Sequence, residues 1–155
     1  MRFRFKGLPA SEFEALFGLS DAELAARDIR RVTADEKPGF PCRVTLEDAE
    51  PGETLLLLSY KHLPAHSPYQ SSGPIFVREG ARETYDGAGL PPVFRGRTLS
   101  VRAYDKADMM VEADIVQGDE AEAALARMLD RGDVAYLHVH NAKRGCYAAR
   151  VERAA

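Results

Sequence analysis

Val134-Ala135-Tyr136-Leu137-His138-Val139-His140, then Asn141-Ala142-Lys143-Arg144-Gly145, then Cys146-Tyr147-Ala148-Ala149-Arg150-Val151, close the chain almost to its end. Two stretches that alternate between core-type and polar positions flank a short polar link. A period of two is the mark of a strand with one buried face. A link of this length containing glycine suits a hairpin and is too short for a parallel crossover. The C-terminal region therefore reads as an antiparallel strand pair.

Outward from that pair the same logic repeats. A helix is predicted at about 119–131. Asp119, Glu120 and Glu122 favour its positive end, and Arg127 and Arg131 its negative end. Ala121, Ala124, Leu125, Met128 and Leu129 form its apolar stripe, and Gly132 stops it. Upstream, Leu99, Val101 and Ala103 alternate, as do Met109, Val111, Ala113 and Ile115, which predicts a second hairpin. Leu55-Leu56-Leu57-Leu58 reads as a central strand buried on both faces, and Ile75-Phe76-Val77 as another strand. Cys42, Val44 and Leu46, alternating with Arg43, Thr45 and Glu47, predict one more. Ser11-Glu12-Phe13-Glu14 and Ser20-Asp21-Ala22-Glu23 each carry a capping-box pattern, giving two short N-terminal helices.

Hairpin connections dominate and no βαβαβ alternation appears. The expected architecture is a single α+β domain over residues 1–155, built on a largely antiparallel, curved sheet. Residues 61–73 lack periodicity and hold two prolines, His62 and His66, so they predict a long loop of the kind used for binding. Residues 86–92 predict a surface excursion.

Composition narrows the function classes. A net charge of −3 and an isoelectric point near 5.8, with basic residues spread along the chain, speak against a nucleic-acid role. No apolar run reaches membrane-spanning length, and the alternating Arg2, Phe3, Arg4, Phe5, Lys6 is a short strand rather than a secretory leader. With only Cys42 and Cys146, a cytoplasmic protein with reduced thiols and no membrane partner is expected.

Candidate chemistry gathers at the final hairpin. If His140 pairs with Cys146 across the link, then His138, His140, Cys146, Ala148 and Arg150 share one face. A register change of one residue would separate the sulfur from the imidazoles. Three functional readings compete with plain packing. The leading one is a pocket for a small polar or anionic ligand, where the hairpin meets the 61–73 loop. His138, His140, Asn141 and Arg144 would line it, helped by Arg43, Arg78 or Arg102 from neighbouring strands. The second is an enzyme. Its chemistry would come from a metal on the His138/His140 pair, or from a Cys146 nucleophile activated by His138 or His140. The cationic Lys143 and Arg144 count against the metal, and the site is read as holding none. The third is a non-catalytic interaction domain. Oligomeric state and any cofactor stay open.

Several stretches together resemble a bacterial family, the domain of unknown function 1203 family. They are Phe40-Pro41-Cys42-Arg43-Val44, Asp48-Ala49-Glu50-Pro51-Gly52-Glu53, and Ser67-Pro68-Tyr69 running on to Ser72-Gly73-Pro74-Ile75-Phe76-Val77-Arg78. Arg102-Ala103-Tyr104-Asp105, Met109-Met110 and the His138–Arg150 segment complete the likeness. It spans nearly the whole chain and implies a single-domain bacterial protein. It transfers no catalytic residue and no cofactor.

Overall fold

A computed structural model describes residues 2–154. In chain order the elements begin with β1 (Phe3–Lys6), α1 (Glu14–Phe17), α2 (Asp21–Ala25), β2 (Arg30–Thr33), β3 (Thr54–Leu63) and β4 (Ser71–Arg78). They continue with β5 (Asp86–Gly87), β6 (Thr98–Tyr104), β7 (Met110–Gln117), α3 (Ala121–Leu129), β8 (Tyr136–Asn141) and β9 (Tyr147–Arg153). The fold is α+β with antiparallel pairing between its named strands, and the strands divide between two sheets. Six follow the order β5-β1-β9-β8-β6-β7, and three the order β2-β3-β4.

α3 covers one face of the six-stranded sheet. Its Leu125, Met128 and Leu129 pack with Leu99, Val101, Leu137, Val139 and Val151, all fully buried. The helix is entered through a 3-10 turn at Gly118–Glu120. A Cβ on Gly118 would lie 1.6 Å from the Phe94 carbonyl oxygen, so only glycine permits this approach. The opposite face meets the smaller sheet. There Leu58 and Ile75 share a core with Val44 and with Tyr147 of β9. The Leu55–Leu58 run lies in β3, central in its sheet as expected.

The local signals differ in outcome for physical reasons. Ser20 accepts from the Glu23 amide and Glu23 accepts from the Ser20 amide, a complete capping box at the start of α2. Ser11 caps nothing, because it lies inside a 3-10 turn (Ala10–Glu12) and Phe13 takes the position before α1. The Cys42–Leu46 alternation is not a strand. Those residues form an irregular, turn-rich segment with isolated bridges from Pro41 to Asp48 and from Cys42 to Phe76, and Leu46 takes a positive φ of 54°. The stretch expected as a loop over 61–73 is shorter, because β3 runs to Leu63 and β4 starts at Ser71. Cross-strand pairing of Lys61 with Ser72 and of Leu63 with Ser71 overrides the weak propensity of this polar sequence. Among the described residues no helix is long and apolar enough to cross a membrane.

Candidate functional site

β8 and β9 pair His138 with Arg150 and Val139 with Ala149, and then slip, so that His140 faces Tyr147. The expected opposition of His140 and Cys146 does not form. The bulge between Val139 and His140 turns Tyr147 onto the imidazole face. Cys146 stays in the connecting turn, where its carbonyl accepts from the Asn141 amide at 2.9 Å. Gly145 makes that turn possible with φ +78°, the left-handed region.

Two neighbourhoods result. The first is an aromatic cluster between the sheets. The His62 ring stacks on Tyr147, with centroids 5.1 Å apart and planes at 12°. His138 meets Tyr104, Tyr136 and Tyr147 at 5.0–5.4 Å. His138 and His140 are 2% and 1% exposed. Burial, followed by the Arg150 charge, takes the His138 pKa from 6.5 down to about 2. Burial also lowers His140 to about 4, against a raising contribution from its bond to Gly145. Both are neutral at physiological pH. His140 Nδ1 lies 2.9 Å from the Gly145 carbonyl, which can only accept, so Nδ1 carries the proton and Nε2 is a bare acceptor. That Nε2 is buried without a partner, as are Nδ1 of His62 and Nδ1 of His138. Even so, among the described residues no group of three His, Cys, Asp or Glu stands so as to hold a metal ion.

The second neighbourhood is centred on Arg43. This residue is 2% exposed. Nε donates to the Tyr147 carbonyl at 2.7 Å, Nη1 to the Pro41 carbonyl at 2.7 Å, and Nη2 to Cys146 Sγ at 3.0 Å. Among the described residues it forms no ion pair with a carboxylate. Burial pushes its pKa down, and the Cys146 sulfur is the foremost influence acting the other way. Asn141 Nδ2 donates to the same sulfur at 3.4 Å. Among the described residues the groups that donate to Sγ are thus a guanidinium and an amide, and no imidazole is bonded to it.

Cys146 lies half-buried on the wall of a cleft of about 650 Å³. Arg43, Arg97, Asn141, Lys143 and Arg144 line it as well, while the loop at 64–70 takes no part. Phe40 and Phe76 supply an apolar side, their rings 5.2 Å apart. Glu36 is the carboxylate of the lining. Arg97 is already neutralised by a two-pronged pair with Asp48, at 2.7 and 3.0 Å. Lys143 and Arg144 are exposed and make no ion pair among the described residues. The cleft therefore carries three cations without a carboxylate partner, exposed Lys143 and Arg144 and buried Arg43, against one acid.

The remaining candidates lie elsewhere. Arg78 is engaged by Glu53 at 2.8 Å and Glu47 at 3.6 Å. Arg102 pairs across the sheet with His138 and donates to Ser100 Oγ at 3.3 Å, which places it beside the aromatic cluster. Cys42 is fully buried and accepts the Arg78 amide at 3.3 Å; both cysteines are free. Arg97 and Glu36 were not singled out by sequence. No local signal marks Arg97, whose partner Asp48 is 49 positions away.

A family model described as "Protein of unknown function (DUF1203)" matches residues 39–153. The chain belongs to the DUF1203 family. The DUF1203 match contains all the cleft-lining residues named above except Glu36. Comparison with curated proteins and with solved structures gave no match.

Proposed function

We propose that this DUF1203 protein binds a small anionic molecule in the cleft beside Cys146. One observation carries the reading: the lining holds three cations without carboxylate partners and a single acid. A concave site with walls of lower dielectric focuses such a field and raises the local concentration of anions. Asn141 adds a side-chain amide that both donates and accepts, and Phe40 and Phe76 offer an apolar surface to the rest of a ligand. Exposed Arg144 presents a forked donor suited to carboxylate or phosphate, while buried Arg43 adds its positive charge to the wall. Buried His140 serves this site indirectly, since it fixes the Gly145 carbonyl in the turn that carries Asn141, Lys143, Arg144 and Cys146.

The test uses inorganic phosphate and citrate as probes in a thermal-shift titration. Wild type should gain stability with either probe, less so as salt is raised, and Lys143→Ala/Arg144→Ala should lose the gain. Equal shifts in wild type and the double variant would refute the proposal, as would no shift at millimolar probe.

A further inference from the structure

We propose that Cys146 is a redox modification site, a thiolate held by Arg43 that peroxide converts to a sulfenic acid. The argument starts from the guanidinium. A buried charge needs a counter-charge or a full set of acceptors, and a lone one is costly. Two of the Arg43 donors go to neutral carbonyls, and the third goes to Cys146 Sγ at 3.0 Å. With no carboxylate paired to Arg43 among the described residues, the anionic sulfur is the group that completes the ion pair. The thiolate is the reactive form of cysteine, and a neighbouring guanidinium favours it. Asn141 adds a second donor at 3.4 Å.

Access separates this sulfur from the other. Cys42 is fully buried and surrounded by core side chains, whereas Cys146 opens on the cleft. Redox-responsive cysteines combine thiolate character with exposure; Cys146 opens on the cleft, and its sulfur faces the Arg43 guanidinium at 3.0 Å. In the reaction a sulfur lone pair attacks one oxygen of hydrogen peroxide and the O–O bond breaks. Hydroxide leaves and takes a proton from solvent. Sulfur is oxidised by two electrons to Cys–SOH, and peroxide is reduced to water. The new oxygen projects from a sulfur on the cleft wall, where Arg43 and Asn141 can still donate to it. Oxidation would then change the cleft that the proposed anion uses. That consequence rests on the binding proposal, but the chemistry of the sulfur does not.

The experiment treats the full-length protein with hydrogen peroxide and traps sulfenic acid with dimedone, followed by mass spectrometry. Wild type and Cys42→Ser should form one adduct, on Cys146, at a rate at least tenfold above that of glutathione at neutral pH. Cys146→Ser should form none. Asn141→Ala should slow the reaction severalfold, a variant that leaves the three Arg43 bonds in place. A Cys146 rate no faster than glutathione, or labelling that maps to Cys42, would overturn the assignment. Lys143→Ala/Arg144→Ala should lose phosphate binding and keep fast oxidation. Failure of the anion proposal and failure of this one are therefore separate results.

Discussion

Arg43 Nε donates to the Tyr147 carbonyl at 2.7 Å across 104 positions of sequence. This bond ties the irregular segment after Pro41 to the first residue of β9, and so holds one cleft wall against the other. Replacing Arg43 by Met would leave the carbonyls of Pro41 and Tyr147 without their donor. Each lost partner of a buried polar group costs about 1–3 kcal/mol. Denaturant unfolding of Arg43→Met should show a loss of about 2–5 kcal/mol. Asn141→Ala, which leaves all three Arg43 bonds in place, should change stability by less than about 1 kcal/mol. Equal effects from the two substitutions would contradict this division of roles.

Asp48 and Arg97 form the other tie. The Asp48 carboxylate is almost buried, and Arg97 Nη1 also donates to the Val93 carbonyl at 2.6 Å. Removing the cation alone strands a buried carboxylate, so Arg97→Met should cost about 3–5 kcal/mol. The double variant Asp48→Asn/Arg97→Met should recover a good part of that, because the stranded charge is gone. A double variant as unstable as the single one would show that Arg97 acts through something other than its charge.

The histidines predict a pH dependence with a definite sign. In the unfolded chain an imidazole titrates near 6.5, while folded His138 and His140 titrate near 2 and 4. Below 6.5 the unfolded state binds protons that the folded state refuses, so stability is full above 6.5 and falls as pH decreases. Each histidine contributes a slope of roughly 1.4 kcal/mol per pH unit at full effect. The His140 contribution ends near pH 4 and that of His138 continues below it. Urea unfolding at a series of pH values from 7 to 4 should show this decline. The slope in His140→Asn should be shallower by about one proton. An unchanged slope in that variant would mean His140 is protonated in the folded protein.

The sequence makes some of this visible and hides the rest for identifiable reasons. The α3 stripe, the Ser20 capping box and the strand pair around His138 and His140 depend on local periodicity and local hydrogen bonds, which a single sequence displays. The bulge before His140 is a tertiary effect. Its result, Tyr147 rather than Cys146 opposite His140, could not be read from alternation alone. Arg43 sits in a segment whose pattern mimics a strand, so its burial and its reach to Cys146 were concealed. Lys37-Pro38-Gly39 signals a turn, and nothing in that signal says that Pro38 and Gly39 border a cleft with Thr98 and Asn141. Strand character in residues 60–63 and 71–73 came from pairing between the two stretches, not from their composition.

The most direct test of the account is a titration of inorganic phosphate into isotope-labelled protein, followed by backbone amide NMR. Shifts that saturate and cluster at residues 39–43, 96–98 and 141–146, and that vanish in Lys143→Ala/Arg144→Ala, are the predicted result. Amides in those three segments that stay in place, while others move or none do, would contradict an anion site at this cleft.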